Sequence, residues 1–432
     1  MGVTITTPDR SRLVDLRRTF HEYPEPGWCE FWTTARIVDE LETIGVDEIH
    51  VGPDAMDTSE RLGVPDEAEL EDWFERARDR YDGDSDVFDK IEGGNTGAVA
   101  VLERGEGPTV GLRVDIDALP ITEADGADHD PTETGFRSEN EGFMHACGHD
   151  AHITFGLGTL EAVKDSDFSG TFKVFFQPSE ELLGGGKAMA AGPHIDDVEY
   201  MIGTHIGLGH STGEVVAGGR GMLALNRMEV AFEGESSHAG LAPNAGRNAV
   251  QAFVTAAENV YAIPRHKEGA TRVNVGRLHS TNPANIVADE VSAELEVRGD
   301  TTELMEYMRD RVERTLESAA EMHDCSVDYS LTGEAIRHDS DEVMVERVVD
   351  LASKIDEVTA ATRWAEFGGS EDVTYLMKEA SDSGGYATLI VIGTDHPGDH
   401  HTPTFDVDEE SLGVGVSVLS ETALSLFDDP VG

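Results

Sequence analysis

The densest group of potential metal ligands lies at residues 145–152. The stretch holds three imidazoles, the thiol of Cys147 and the carboxylate of Asp150. Gly148 allows a tight backbone turn, so a thiolate at Cys147 and an imidazole at His149 can face one ion. Taken alone, the stretch also fits a buried cysteine beside surface histidines. If the stretch does bind a metal ion, the remaining ligands must come from elsewhere in the chain.

Two adjacent carboxylates follow a strand predicted at residues 171–176. Glu180 and Glu181 come shortly after its last residue. Because neighbouring side chains of an extended backbone point to opposite sides, the two carboxylates face different ways. One can bind a metal ion while the other holds a water molecule. The pair therefore predicts a metal ligand and a water-binding group in one loop.

Ligand-type side chains follow other predicted strands as well. The strands are predicted at residues 108–114, 198–204 and 387–392, and the groups that follow them are Asp117, His205 and the histidine-rich loop 396–403. Sites in open α/β sheets form beyond the carboxyl ends of the strands. We therefore expect these groups to meet at one edge of a sheet.

The order of the predicted elements divides the chain into two domains. Alternating strands and helices predict the α/β class, with an open, mostly parallel sheet, for residues 1–220 and 334–432. Between them, residues 221–333 follow the order β-α-β-β-α-β, which is typical of a small ferredoxin-like α+β domain. The metal-ligand motifs all fall in the first domain. The second domain is therefore expected to interrupt a catalytic, metal-binding domain.

Two features are expected near the N-terminus. Thr7 is predicted to cap the first helix through its hydroxyl group, with Pro8 in the first turn. Residues 52–93 are acidic and contain one amphipathic helical patch near residues 70–81, so they are predicted to be an insertion.

The charge balance excludes several classes of function. The chain has 86 Asp plus Glu against 32 Lys plus Arg, a formal net charge of −54. Nucleic acids and anionic membranes would repel such a protein, so neither is an expected partner. Acidic residues that are dispersed, together with few lysines, predict a halophilic protein that works in molar salt, where self-repulsion is screened. An ordinary acidic enzyme is the alternative.

The cysteines bear on the expected location. Cys29, Cys147 and Cys325 form an odd set without the spacing of a disulfide framework. Such a set predicts a reducing compartment, the cytoplasm by default. No apolar run is long enough to span a bilayer, so no membrane segment is expected.

Four motifs resemble those of one enzyme family. They are Asp115-x-Asp-Ala-Leu-Pro, His145-Ala-Cys-Gly-His-Asp, Gln177-Pro-x-Glu-Glu and Ser237-His-Ala-Gly. Together they resemble the amidohydrolase branch of the dinuclear metallopeptidase family, which includes the aminoacylases. The resemblance implies metal-dependent hydrolysis of the amide bond of an N-acyl or aroyl amino acid, with p-aminobenzoyl-glutamate as the leading substrate. Other N-acyl-amino-acid or carboxypeptidase specificities remain open.

The resemblance also implies a role for each residue of the site. Two divalent ions per chain, Mn²⁺ by family resemblance or Zn²⁺ because of the thiolate, would be bound by Cys147, His149, Glu181, His205 and His401. Glu180 would be the general base, and Asp117 would orient a metal ligand. His401 is preferred to His400 because the family's ligand directly precedes a short polar-x-x-Phe segment.

By the same resemblance, the inserted domain would be a lid and dimerisation domain. His238 would help polarise the scissile carbonyl group, and Asn285 and Arg298 would hold the carboxylate of the small N-acyl or aroyl amino acid. The expected assembly is a homodimer or a heterodimer with a related chain. An idle metal-binding relative or a structural partner subunit is the alternative from another class. The presence of both Glu180 and His238 argues against it, because binding of metal alone requires neither.

Overall fold

The computed structural model describes residues 8–83 and 85–431. The chain divides into two compact units. The first unit runs to Arg220 and also includes His338–Glu366 and the chain from Asp372 onward, whereas the second unit contains Gly221–Arg337 and Phe367–Glu371.

The described residues form helices and strands in the following order. Up to Arg220 they are α1 (Arg10–Glu22), α2 (Phe31–Ile44), β1 (Glu48–Val51), α3 (Glu67–Arg80), α4 (Phe88–Ile91), β2 (Ala98–Glu103), β3 (Thr109–Asp115), α5 (Asp130–Thr134), α6 (His149–Lys164), β4 (Thr171–Gln177), α7 (Gly186–Ala190), β5 (Tyr200–Ile206), β6 (Glu214–Val216) and β7 (Gly219–Arg220). Next come β8 (Ala224–Glu233), α8 (Ala249–Tyr261), β9 (Thr271–His279), β10 (Glu290–Gly299), α9 (Thr302–Met322) and β11 (Ser326–Ala335). The last are α10 (Glu342–Ala352), β12 (Ala360–Thr362), β13 (Ala365–Glu366), α11 (Thr374–Asp382), β14 (Tyr386–Ile392) and α12 (Glu410–Asp428).

The first unit is built on a large sheet whose central strands are parallel. Among the described residues the strand order is β1-β2-β4-β3-β5-β14-β6-β12. β3 runs parallel to β4 and β5, and β14 runs parallel to β5, whereas β1, β2 and β6 make antiparallel pairs. Every residue of β3 and β5 is buried, and α6 packs against both strands. The expected open, mostly parallel sheet is thus confirmed for the centre of this unit.

The second unit has the expected ferredoxin-like architecture. Its strands and helices follow the order β-α-β-β-α-β, and its sheet has the order β11-β8-β10-β9 with every pair antiparallel. Buried and partly exposed residues alternate along β10, so one face of the sheet is apolar. The buried apolar face packs with α8 and α9 to form a separate core, which includes Phe232, Leu295 and Met308.

The second unit extends slightly further than the boundary expected at residue 333. β11 continues to Ala335, which pairs with Leu225 of β8. Residues 367–371 also group with this unit, because Leu223 N donates a hydrogen bond to Gly369 O at 2.9 Å. Ser370 Oγ returns a hydrogen bond to Leu223 O at 2.7 Å. Both differences arise from backbone pairing between segments that are distant in sequence.

The start of the chain differs from the prediction in its helix cap. α1 begins at Arg10, and the carboxylate of Asp9 accepts a hydrogen bond from Ser11 N at 3.0 Å. Asp9 therefore caps the helix, whereas Thr7, which was expected to do so, lies outside the described residues. An aspartate is at least as good a cap as a hydroxyl residue, so the cap lies two residues later than predicted.

The acidic segment at residues 52–93 contains α3 and α4. Asp66 caps α3 by accepting a hydrogen bond from Glu69 N at 2.9 Å. Trp73 of α3 is buried and packs edge-on against Phe143, with 5.0 Å between the ring centroids. None of the described helices is long and apolar enough to cross a membrane.

Candidate metal centre and active site

The expected site residues of the first unit follow strands that are neighbours in the sheet. β4, β3, β5 and β14 lie side by side and run parallel, so their carboxyl ends share one edge. Asp117, Glu180, Glu181 and His205 lie at or just beyond three of these ends, and His401 lies in the loop after the fourth. The sheet thus brings together groups that are up to 284 residues apart in sequence, from Asp117 to His401.

His149 reaches this edge from the first turn of α6. Gly148 precedes the helix with a φ of +82°, a left-handed conformation that favours glycine. A Cβ atom at Gly148 would lie 2.5 Å from Cγ2 of Ile206, so a larger residue would clash there. The tight turn inferred from the sequence is therefore present, and it carries both Cys147 and His149 to the end of β5.

Two groups of ligand atoms share the sulfur atom of Cys147. In the first group, Cys147 Sγ lies 3.6 Å from His205 Nε2, and His149 completes the group. In the second, Glu181 Oε1 lies 3.6 Å from His401 Nε2, with Cys147 again within reach. Bonds of about 2.3 Å to sulfur and about 2.0 Å to nitrogen at a tetrahedral ion put the two donors about 3.5 Å apart. The spacing of the donors therefore fits a divalent metal ion.

The tautomers of two histidines also fit a metal site. His149 Nδ1 donates a hydrogen bond to Asp117 O at 2.9 Å, and His205 Nδ1 donates one to Ile206 O at 2.8 Å. A carbonyl oxygen only accepts, so the proton of each neutral ring is on Nδ1 and the lone pair is on Nε2. His149 Nε2 is buried and has no hydrogen-bond partner among the residues that the structure describes. It lies 3.8 Å from Glu181 Oε1 and 4.0 Å from Glu180 Oε2.

The electrostatic environment suits a cation. Burial, together with neighbouring histidines, lowers the pKa of His205 and His401, so both rings are neutral near pH 7 and able to bind a metal. Burial would also lower the pKa of His149, but Asp115, Asp117 and Glu181 outweigh it and raise that pKa to about 10. A divalent ion beside His149 would displace its proton and neutralise the same carboxylates.

His400 and His401 occupy different places although they are adjacent. His401 adopts a left-handed backbone conformation with a φ of +61°, and its N–H donates to Ala146 O at 2.9 Å. This conformation directs its ring toward Glu181. His400 Nε2 instead lies 3.1 Å from Ile206 O, and burial lowers the His400 pKa to about 4. The geometry supports the choice of His401 as the ligand.

Asp117 supports two of the expected site residues at once. Besides its carbonyl contact with His149, its Oδ1 lies 3.2 Å from His149 Nδ1. Its Oδ2 accepts a hydrogen bond from Glu181 N at 3.0 Å. Asp117 is fully buried, so these contacts hold the imidazole and the carboxylate loop in fixed orientations.

Asp372 is a buried residue of this region that the site assignments from sequence do not include. Its Oδ2 accepts from Gly186 N at 2.7 Å, and its Oδ1 accepts from Gln177 Nε2 at 2.7 Å and from Arg113 Nη2 at 3.0 Å. Asp372 therefore joins the two ends of the loop that carries Glu180. The signal available in the sequence was the polar segment at residues 368–372, but a partner 195 residues away is not visible locally.

A further buried group, formed by Asp115, His149 and His152, has a structural explanation. His152 Nδ1 is hydrogen-bonded to Asp115, and His152 Nε2 accepts from Ile206 N at 2.8 Å. Both nitrogens of His152 are thus engaged. The ring supports the end of β5, next to His205, and needs no metal ion to satisfy it.

His238 belongs to the second unit and is exposed. Its Nδ1 accepts hydrogen bonds from Gly240 N at 3.1 Å and Leu241 N at 3.2 Å. A neutral ring that accepts at Nδ1 carries its proton on Nε2, which is therefore a hydrogen-bond donor. Asn285 is close by, because Ala239 N donates to Asn285 O at 2.9 Å. The structure thus brings His238 and Asn285 together.

Arg298 lies at the other end of the same sheet. The register of β8 and β10 pairs Glu290 with Glu233, on the side of His238, and pairs Arg298 with Leu225. Eight residues at about 3.3 Å each separate these positions by about 26 Å. Arg298 Nε also donates to Glu296 Oε1 at 2.6 Å. Within one chain, Arg298 is therefore too far from Asn285 for both to hold the same carboxylate.

Comparison with known proteins identifies the class. The model of peptidase family M20/M25/M40 matches residues 111–425. The chain belongs to this family and is an amidohydrolase, in agreement with the resemblance of its motifs.

Individual relatives cover nearly the whole chain. Indole-3-acetyl-aspartic acid hydrolase of Enterobacter agglomerans is 38% identical, over 96% of this chain and 95% of that protein. The A-type subunit of p-aminobenzoyl-glutamate hydrolase from Escherichia coli strain K12 is 37% identical, over 96% and 95%. The crystal structure of an aminobenzoyl-glutamate utilization protein from Klebsiella pneumoniae superposes with a TM-score of 0.83 at 31% identity, and it covers 98% of this chain and 97% of that one.

Proposed function

We propose that the protein is a metal-dependent hydrolase of N-acyl or aroyl amino acids, with p-aminobenzoyl-glutamate as the leading substrate. The observation that carries the proposal is the pair Glu180 and Glu181, whose carboxylates both lie within 4.0 Å of His149 Nε2. One carboxylate can bind a metal ion while the other accepts and donates a proton. The names of the relatives from Enterobacter agglomerans and Escherichia coli, both hydrolases of amides of an acidic amino acid, support the substrate class.

The proposed metal site holds two divalent ions. The ligands are the five named from the sequence, Cys147, His149, Glu181, His205 and His401, and the two groups that share Cys147 support a pair of ions. The thiolate favours Zn²⁺, and the carboxylate and imidazole ligands also suit Mn²⁺, which the family resemblance favours. Bound metal would supply a polarised water of lowered pKa.

The residues of the chain would carry the proton and position the substrate. Glu180 takes a proton from the attacking water and passes it to the nitrogen of the leaving amino acid. Asp117 keeps His149 in the tautomer that binds metal. His238, a donor at Nε2, would stabilise the oxygen of the tetrahedral intermediate.

The distance between the groups of the second unit supports a dimer. Arg298 lies about 26 Å along β10 from Glu290, at the strand end on the side of His238 and Asn285. The three residues would therefore act on one substrate if two chains contribute. Two surfaces support such a pairing. Val254 and Tyr261 of α8 are 56% and 49% exposed, and β9 is an edge strand of its sheet. Apolar helix faces and open strand edges are typical of interfaces. The partner would be a second copy or a related chain.

Arg298 would bind the substrate carboxylate together with Asn285 of the other chain. Its Nε is engaged with Glu296, but a guanidinium group has four further N–H donors on its Nη atoms. In a chain with a net charge of −54, an arginine near the substrate offsets the repulsion of an anionic ligand. Equal rates on the free acid and the carboxamide of one substrate would remove this role from Arg298.

A hydrolysis assay tests the proposal as a whole. The purified chain is loaded with Mn²⁺, Zn²⁺ or Co²⁺ in molar potassium chloride, and the release of p-aminobenzoate from p-aminobenzoyl-glutamate is measured. Activity that needs metal and is lost in Glu180→Gln supports the proposal. No hydrolysis of any N-acyl or aroyl amino acid by metal-loaded protein would contradict it and favour a structural role.

The three cysteines form no disulfide, which supports a cytoplasmic location as part of the proposal.

A further inference from the structure

The backbone directly before Glu180 has an unusual conformation. Ser179 is fully buried and has a φ of +55°, in the left-handed region that residues other than glycine rarely adopt. A non-glycine residue stays in this region only when its surroundings hold it there. The direction of the next side chain, that of Glu180, depends on this conformation.

Glu30 contacts Ser179 directly. Its carboxyl group is buried, with 0% exposure of the residue, and its Oε1 accepts a hydrogen bond from Ser179 N at 2.7 Å. Its Oε2 accepts from Thr96 Oγ1 at 2.6 Å, and Thr96 is equally buried. Both carboxyl oxygens are therefore fixed, so the position of the Ser179 N–H is fixed as well.

The segment that carries Glu30 fits closely against Ser179. A Cβ atom at Gly27 would lie 2.7 Å from Ser179 Oγ, so the backbones approach each other too closely for a larger residue. Ala118 N donates to Glu25 O at 2.8 Å, which ties the same segment to the end of β3. Residues 25–30 thus contact the segments that directly follow β3 and β4.

Glu30 occupies the N-cap position of α2 but does not cap it. Its side chain makes no hydrogen bond to the first turn of its own helix. The carboxylate of Glu25 accepts from Trp32 N and Thr33 N instead, so another residue already caps this helix. Burial of the carboxyl group, with Asp117 nearby, also raises the pKa of Glu30 well above its usual value, which indicates an unfavourable environment for the charge. Helix stability therefore does not explain a glutamate at this position.

We propose that Glu30 is a positioning residue for the hydrolysis reaction. Its hydrogen bond to Ser179 N holds the left-handed backbone that sets the direction of the Glu180 carboxylate. The proposal rests on the proposed function, in which Glu180 is the general base.

Glu25 offers a matched control in the same segment. It is a glutamate with 2% exposure, and its carboxylate accepts hydrogen bonds from Trp32 N at 3.0 Å and Thr33 N at 2.8 Å. These contacts are with the start of α2 rather than with Ser179. Shortening Glu25 should destabilise the fold as much as shortening Glu30, without moving Glu180.

The test compares Glu30→Asp, Glu30→Gln and Glu25→Asp in the metal-loaded full chain. Glu30→Asp lacks one methylene group and no longer reaches both Ser179 N and Thr96 Oγ1. Misplacing a reacting group by about 1 Å costs on the order of 100-fold, so kcat should fall by about that factor. KM and metal content should change less than about twofold. Glu30→Gln, whose amide oxygen can still accept from Ser179 N, should recover most of kcat.

Two further measurements separate positioning from general damage. Melting temperatures should fall to a similar extent in Glu30→Asp and Glu25→Asp, while only Glu30→Asp loses kcat. A crystal structure of Glu30→Asp should show Ser179 outside the left-handed region. Parental kcat in folded Glu30→Asp would overturn the proposal, as would an equal loss of kcat in Glu25→Asp or in Glu30→Gln.

Failure of this proposal is distinguishable from failure of the proposed function. If the parent chain hydrolyses no amide, or if Glu180→Gln keeps its turnover, the proposed function or its general base is wrong. If the parent is active, Glu180→Gln is not, and Glu30→Asp behaves like the parent, only the role of Glu30 is wrong.

Discussion

At the scale of single residues, two neighbouring carboxylates are assigned different tasks. Glu180 and Glu181 both approach His149, yet Glu181 also lies 3.6 Å from His401 Nε2 and donates a hydrogen bond to Asp117 through its backbone N–H. Glu181 is therefore fixed among ligand atoms. Glu180 is therefore the carboxylate that we propose as the acceptor of the proton of the attacking water.

Replacement of each carboxylate by its amide should separate these tasks. Glu180→Gln should retain metal and lose about 100-fold or more in kcat, the usual contribution of a general base. Glu181→Gln should lose metal as well as activity, because a neutral amide is a weaker ligand. Elemental analysis and kcat on the same samples provide the check. Metal content and rate near those of the parent in both variants would show that the assignments are wrong.

At the scale of elements, a buried charged network ties α1 to α6. Arg17 Nε donates to Asp150 Oδ2 at 2.8 Å, and His21 Nδ1 donates to the same oxygen at 2.8 Å. His21 Nε2 also donates to Glu123 Oε1 at 2.8 Å, so both ring nitrogens carry protons and the ring is charged. Since Asp150 directly follows His149, the network anchors the helix turn that presents a proposed ligand.

The network predicts how stability depends on pH. Burial and Arg17 would lower the pKa of His21, but its hydrogen bonds with Asp150 and Glu123 raise that pKa to about 9. The contribution of the charged His21 ring to the free energy of unfolding is therefore complete below pH ~6.5, the pKa of histidine in the unfolded chain. It is lost as the pH rises through about 9, the pKa in the folded chain. The free energy of unfolding from urea titrations between pH 6 and 10 should fall over this range, and His21→Gln should flatten the fall. An equally steep profile in His21→Gln would contradict the assignment.

At the scale of the whole molecule, the dimer proposal can be tested by mixing two inactive chains. If His238 acts in the site of the partner chain, a hybrid of Glu180→Gln and His238→Ala chains contains one complete site. Random exchange of subunits makes about half of the dimers hybrid, so about a quarter of the parental activity should return. Size-exclusion chromatography after subunit exchange is the control for dimer formation. Recovery of no activity from verified hybrids would place His238 in the site of its own chain.

The net charge predicts a dependence of stability on salt. A charge of −54 on a folded chain creates repulsion that salt screens within a few ångströms at molar concentration. The melting temperature and the activity should therefore rise with potassium chloride up to molar concentrations. A series in sodium chloride at the same ionic strength controls for a specific effect of potassium. A melting temperature that is flat or falls with salt would contradict the halophilic interpretation.

Local patterns in the sequence were sufficient for the family, the order of the elements and the motifs of the candidate metal site. Apolar periodicity depends on neighbouring residues only, so the central strands and the ferredoxin-like unit were predicted correctly. Placement of Asp117, Glu181 and His205 after parallel strands followed from the same patterns, because parallel strands end at a common edge. The N-cap residue predicted for α1 was wrong by two positions, since several residues near Asp9 can cap a helix equally well.

The tertiary structure decided which distant groups meet. Glu30 reaches Ser179 across 149 residues, and Asp372 reaches Gln177 across 195, because the sheet order brings their segments together. The strand register likewise separates Arg298 from Asn285 in space, although the two residues are only 13 positions apart in sequence. Local propensity reports the conformation of a segment, whereas contacts between buried carboxyl groups and backbone N–H groups depend on how segments pack. Such contacts can be read only from the folded chain.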